Sequence, residues 1–198
     1  MLPHVFLQGP SGMGKSTILR EVFAPHVLYI TGFVIQRLTE NGLTVAFRTA
    51  CLDGAFPPLE AQYDSSLKDV FLLRRRWMGY DALERALMHV LEQADRSLIV
   101  LDEIGGIELG SPVFMGVLER ILSGPRPCFG VFKARENLDR ALSNLNLSTH
   151  RAELQEKHKQ LEMLIRANGD ILTVTGQNRN EVRIHIEQDL QILLSKLS

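Results

Sequence analysis

Gly9-Pro10-Ser11-Gly12-Met13-Gly14-Lys15-Ser16-Thr17 fits the pattern G-x-x-x-x-G-K-[ST], with an additional glycine at position 12. Val5-Phe6-Leu7 in front reads as a short buried strand. Residues 16–23 behind read as a helix with Ile18, Leu19, Val22 and Phe23 on its apolar side. Strand, glycine loop and helix in this order point backbone N–H groups and a helix N-terminus at an anion. In that arrangement Lys15 reaches the β- and γ-phosphates as a point charge, and the Ser16 hydroxyl ligates Mg²⁺.

The rest of the chain supplies a second signal. Ser97-Leu98-Ile99-Val100-Leu101 is a continuous apolar strand that ends in Asp102-Glu103. Carboxylates at the carboxyl end of a buried strand lie at the mouth of an α/β sheet, where ligands bind. Asp102 is therefore the expected second Mg²⁺ residue, through water, opposite Ser16. Glu103 is the candidate that orients or deprotonates the attacking water. Glu108, five residues on, either joins the site or simply precedes the next helix cap. Arg179 is the first candidate in cis for stabilising transition-state charge, followed by Arg37, Arg48 and Arg135. The run Arg74-Arg75-Arg76 before Trp77 is open to two readings: a base- or phosphate-binding patch, or solvated charge beside a packed Trp.

Between these motifs, strands alternate with helices. Residues 27–30 read as a strand broken at Thr31-Gly32. Residues 33–37 and 43–51 flank Asn41-Gly42, a strong hairpin signal. Residues 53–58 are a loop, and 60–77 read as a short helix or lid-like segment. Residues 80–94 form a helix with Leu83, Leu87, Val90 and Leu91 inward. Ser111-Pro112 start another, Ser as N-cap and Pro at the first helical position, and Gly124 closes it. Residues 128–133 are a strand, 136–168 a polar helical stretch with a break near Ser148-Thr149, and 170–175 a last strand. Residues 180–197 read as an amphipathic helix through Val182, Ile186, Leu190, Leu193 and Leu197. The pattern specifies an α/β fold, a three-layer α/β/α sandwich around a mainly parallel sheet, with the hairpin near 33–51 and a helical insertion near 136–168.

The bulk numbers agree with one soluble domain over 1–198. The chain has 198 residues, 45% apolar and 23% charged, enough to bury a core. A net charge of −1 argues against a protein that binds nucleic acid chiefly through its phosphates. Two cysteines, Cys51 and Cys128, with no C-x-x-C, read as reduced thiols of a cytoplasmic protein. The six histidines contain no H-x-x-x-H pair, so spacing gives no dedicated protein-only metal site. No apolar run approaches the ~20 residues that span a bilayer, and Pro3 and His4 lead into a strand, not a signal peptide.

From Leu98 to Leu109 the sequence resembles the small P-loop nucleoside-triphosphatases first known from hyperthermophiles, a family that includes the human cancer-related nucleoside-triphosphatase. The family's D-E-I-G-(K)-M-E-L is matched by residues 102–109, with Phe114 in the following helix. Gly32-Phe33, the hairpin through Asn41-Gly42 to Phe47-Arg48, and Gln177-Asn178-Arg179-Asn180 also resemble it. The resemblance covers most of residues 4–135 and 170–197. It implies Mg²⁺-dependent hydrolysis of ATP, GTP and other triphosphates to diphosphate and phosphate, with loose base preference. Three departures stand out: Ile35-Gln36-Arg37 where the family carries acidic residues, Gly106 in place of its lysine, and a longer 136–168. The phosphate and Mg²⁺ residues Lys15, Ser16, Asp102 and Glu103 are intact. Two other readings remain: a P-loop kinase with a second-substrate pocket, and a nucleotide-dependent module that signals to a protein partner through the inserted helices.

Overall fold

The computed structural model describes residues 4–196. The strands are β1 (His4–Gln8), β2 (Ile30–Glu40), β3 (Leu43–Cys51), β4 (Glu60–Gln62), β5 (Val70–Leu73), β6 (Arg76–Trp77), β7 (Leu98–Ile104), β8 (Cys128–Phe132) and β9 (Gly169–Thr173). The helices are α1 (Lys15–Phe23), α2 (Asp81–Glu92), α3 (Pro112–Leu122), α4 (Arg135–Asn144), α5 (Arg151–Asn168) and α6 (Arg179–Leu194). Among the described residues one sheet runs β6-β5-β3-β2-β7-β8-β1-β9, with β4 also on β2. From β2 to β9 along this path every pairing is parallel, while β3, β5 and β6 extend the sheet antiparallel.

Both faces of the parallel part are covered, which is why its strands read as continuous apolar runs. Successive side chains alternate between two cores. Phe6, Ile99 and Leu101 pack under α2, α3, α4 and α5. Val5, Leu7, Val100 and Val131 pack under α1 and α6. Ser111 caps α3 as its sequence predicts, its hydroxyl accepting the Phe114 N–H at 3.0 Å. The stretch 136–168 is the connection from β8 to β9. Leu138, Leu142, Leu154, Leu161 and Ile165 are buried in the first core, so its apolar stripe faces inward.

The strand expected at 27–30 is instead a 3₁₀ segment, Ala24–Tyr29, with Leu28 exposed. The real strand starts at Ile30 and passes straight through Thr31-Gly32. Gly32 is there for closeness rather than for a break: a Cβ on it would lie 1.8 Å from the Val100 carbonyl oxygen on β7. Residues 60–77 contain no helix. They form β4, β5 and β6, because β4 finds backbone partners on β2, β5 on the hairpin edge at β3 and β6 on β5, pairings that local pattern does not reveal. The acidic pair also lies within β7 rather than after it. The last helix ends at Leu194, and the expected Leu197 lies outside the described residues. Among the described residues no helix is long and apolar enough to cross a membrane.

Candidate active site

The glycine loop connects β1 to α1, and its last residue, Gly14, is the left-handed N-cap of that helix at φ +79°. With no capping side chain and no acid in the first turn, the N-terminal N–H groups of α1 face outward unpaired by side chains. That is the setting in which a helix end holds an anion. Lys15 is almost fully buried and folds back over the loop, its Nζ donating to the Gly9 carbonyl at 2.9 Å and the Pro10 carbonyl at 2.7 Å. Burial lowers its pKa, against the pull of Glu103 and Asp102.

Asp102 meets the loop from β7. The Ser16 hydroxyl donates to Asp102 Oδ1 at 2.9 Å, joining residues 86 apart in sequence. Asp102 is buried, and burial first and the neighbouring Glu103 second push its pKa up to about 7. Ser16, Lys15 and Lys133 oppose that shift. A divalent cation would relieve it by the same charge logic. The peptide between Asp102 and Glu103 is cis.

Glu103 is ion-paired with Lys133, Oε2 to Nζ at 2.7 Å. Burial works to lower the lysine's pKa, but Glu103, Glu108 and Asp102 outweigh it and hold the ammonium above its usual range. Glu108 accepts the Gly106 N–H at 2.6 Å and is buried, with its own pKa raised by that burial. It thus belongs to the carboxylate group around Lys133 as well as preceding the α3 cap. Gly106 leaves room for this: a Cβ there would lie 3.2 Å from Lys133 Cε and 2.7 Å from Glu108 Oε2.

These residues line one cavity of about 1130 Å³. Ser11, Gly12, Gly14, Lys15, Ser16, Thr17, Asp102, Glu103 and Lys133 form its charged end. Phe47, Phe71 and Trp77 with Arg37, Arg74 and Arg75 form its far end. Trp77 packs edge-on against Phe71 and Tyr80, with centroids 5.8 and 5.3 Å away.

The arginines divide. Arg179 is the first residue of α6; its side chain lies over Gly14, where a Cβ would be 2.6 Å from its Nε, and it reaches Glu21 at 3.5 Å. Arg37 lines the cavity but is ion-paired with Glu60. Arg48 donates to Gln36 and lines a different cleft, and Arg135 donates to Gln155 on α5. Arg140 on α4 lines the same cavity, and Asn137 one turn earlier donates to the Gly9 carbonyl at 3.4 Å.

Lys133, Asn137 and Arg140 are the residues that sequence reasoning missed. For Lys133 a signal existed: it directly follows a buried strand, at the same carboxyl end of the sheet as Asp102. Val131 pairs with Asp102, and the Lys133 N–H bonds the Ile104 carbonyl. For Arg140 the sequence offers only the polar helical character of residues 136–168.

The sequence model of the NTPase family matches residues 4–187. The chain is 32% identical over 136 residues to the mouse cancer-related nucleoside-triphosphatase homolog, covering 63% of this chain and 72% of that one. It is 27% identical over 189 residues to nucleoside-triphosphatase THEP1 of Thermotoga petrophila, covering 89% and 95%. Its fold is similar to the solution structure of a human cancer-related nucleoside triphosphatase (TM-score 0.58, 22% identity, 96% and 97% covered). A crystal structure of THEP1 from Aquifex aeolicus is likewise similar (TM-score 0.55, 17% identity, 92% and 96% covered). With a glycine loop, a buried acidic strand end and a family match along nearly its whole length, the chain belongs to this NTPase family of P-loop enzymes that hydrolyse nucleoside triphosphates.

Proposed function

We propose that the chain is a Mg²⁺-dependent nucleoside-triphosphatase releasing diphosphate and phosphate from ATP, GTP and related triphosphates. The observation that carries this is the Ser16–Asp102 contact of 2.9 Å with Glu103 beside it at the mouth of the glycine loop. A hydroxyl and a carboxylate are hard oxygen donors of the kind Mg²⁺ takes, so the residues present fit the ion. Ser16 and Asp102 would hold the ion, which would supply positive charge against the charge that builds on the phosphate oxygens.

The protein's own groups supply the remainder. Residues 9–17 hold the phosphate tail through backbone N–H groups and the α1 terminus, and Lys15 exchanges its two loop carbonyls for phosphate oxygens. Glu103 orients the attacking water and accepts its proton at a carboxylate oxygen. Lys133 fixes the rotamer of Glu103 through their 2.7 Å ion pair. Arg179 or Arg140 adds positive charge in the transition state. The aromatic far end offers π-faces, which take any base and so support loose base preference. We further propose a single-domain cytoplasmic enzyme, which the two free thiols and the continuous sheet support.

The test is phosphate release from ATP, GTP, CTP and UTP with Mg²⁺, for wild type and Glu103→Gln, with nucleotide binding measured alongside. Hydrolysis of several triphosphates, lost in a variant that still binds nucleotide, is the expected result. Binding without phosphate release from any of the four would overturn the reading and favour a kinase or a signalling module.

A further inference from the structure

On the α2 side of β3 lies a second cleft, of about 950 Å³, which shares no lining residue with the nucleotide cavity. Cys51 is the last residue of β3 and Asp53 follows two positions on. Leu52 between them is buried in the opposite core, so the thiol and the carboxylate are presented on the same side, toward α2. There His89 meets them, its Nε2 hydrogen-bonded to Asp53 Oδ1 at 2.6 Å. One sulfur, one nitrogen and one oxygen lie within 4.8 Å of one another. The spacing of the histidines in sequence gave no hint of this grouping.

We propose that Cys51, Asp53 and His89 form a binding site for a thiophilic divalent transition metal of the Zn²⁺ class, separate from the Mg²⁺ of the phosphate site.

The donor set decides the class of metal. Thiolate with imidazole suits Zn²⁺ and its neighbours, whereas Mg²⁺ and Ca²⁺ take oxygen alone. Tetrahedral bonds of ~2.0 Å to nitrogen and ~2.3 Å to sulfur place donor atoms about 3.5 Å apart. Metal entry would open the 2.6 Å Asp53–His89 contact toward that spacing and bring the sulfur to it from within 4.8 Å, and the Asp53 side chain, 64% exposed, lies at the mouth of the site. The far ring nitrogen of His89, Nδ1, lies 3.9 Å from Glu92 Oε2. A carboxylate behind a ligating histidine fixes its tautomer and raises its basicity. The local field has the right sign as well. Asp53, Asp69 and Glu92 all line the cleft with Cys51 and His89, and their carboxylates favour a cation there. Metal binding would release the thiol proton to solvent as the S–metal bond forms, and a water would supply the fourth donor. Bound metal would tie the end of β3 and the loop after it to α2.

The experiment is a Co²⁺ titration of the full chain without nucleotide, followed in the near-ultraviolet and visible, with Zn²⁺ as competitor. Expected is a saturable thiolate-to-Co²⁺ charge-transfer band that Zn²⁺ abolishes, that Cys51→Ser removes, and that His89→Gln weakens about tenfold or more in affinity. Zn²⁺ should also raise Tm in wild type and not in Cys51→Ser. Co²⁺ held at the Ser16–Asp102 oxygens would give no such band. Absence of the band in wild type overturns the proposal, as does a band that survives Cys51→Ser. Unchanged affinity in His89→Gln overturns it too, and that arm decides the matter should the serine variant misfold. None of these readouts depends on phosphate release, so the outcome is separable from the fate of the hydrolase reading.

Discussion

Lys133 Nζ lies 2.7 Å from Glu103 Oε2, tying the residue after β8 to the carboxylate proposed to orient water on β7. Around that one ammonium stand three carboxylates, Asp102, Glu103 and Glu108. Lys133→Met would leave them facing one another with less compensation. We expect phosphate release to fall by about tenfold or more with nucleotide affinity little changed, and Lys133→Arg to recover part of it. Steady-state kinetics paired with nucleotide-binding titrations checks this; equal loss of binding and turnover would mean Lys133 serves only the fold.

The Ser16–Asp102 contact predicts a metal phenotype. Ser16→Ala and Asp102→Asn should each raise the Mg²⁺ concentration for half-maximal phosphate release by about tenfold or more. A Mg²⁺ titration at saturating nucleotide reads the shift. Unchanged Mg²⁺ dependence in both would dissociate these residues from the ion.

Two arginines compete for the transition-state role. Arg140→Ala and Arg179→Ala can be separated because only Arg179 also braces Gly14 and Glu21. The one that acts on charge in the transition state should lower kcat by about a hundredfold or more with KM held. The other should move KM or stability. Comparing kcat and KM for both variants assigns the role.

His4 sets an acid limit on stability. Its Nδ1 accepts the Cys128 N–H at 3.1 Å, so Nε2 carries the proton and donates to the Leu122 carbonyl at 2.8 Å. Protonating Nδ1 would set two donors against each other in a buried site. Burial accordingly lowers the His4 pKa from 6.5, with the Leu122 bond opposing. A histidine depressed in the folded state binds fewer protons there than when unfolded, so stability is full above 6.5 and falls as pH drops below it. Denaturant unfolding across pH 7 to 5 should show this decline, and His4→Gln should flatten it.

Gly32 is a close-approach glycine. Gly32→Ala would drive a methyl to 1.8 Å from the Val100 oxygen at a φ of +146°. We expect a stability loss of about 3 kcal/mol or more, read from the denaturation midpoint. A loss under about 1 kcal/mol would mean that β2 and β7 can separate without cost.

The parallel half of the fold was legible because its strands are buried on both faces and its helices carry a clear 3.6 period. The Ser111-Pro112 cap and the Asn41-Gly42 turn are local chemistry, so they too were readable. The edge strands at 60–77 were not, since β5 exists by pairing with β3 and has no strong pattern of its own. Nor was the 3₁₀ segment at 24–29, whose apolar run is exposed rather than buried.

Lys15 and Ser16 stand in the loop-to-helix motif after β1 and Asp102 and Glu103 in the end of β7 itself, two short contiguous motifs that local sequence sufficed to name. Lys133, Arg140 and the Cys51–Asp53–His89 group depend on which strand lies beside which and on which helix face turns inward. By itself the sequence determined the phosphate loop, the acidic strand end and the layered α/β class, because contiguous residues carry those signals. Only the tertiary structure decided which distant charges meet, because strand order and helix docking are set by burial summed over the whole chain.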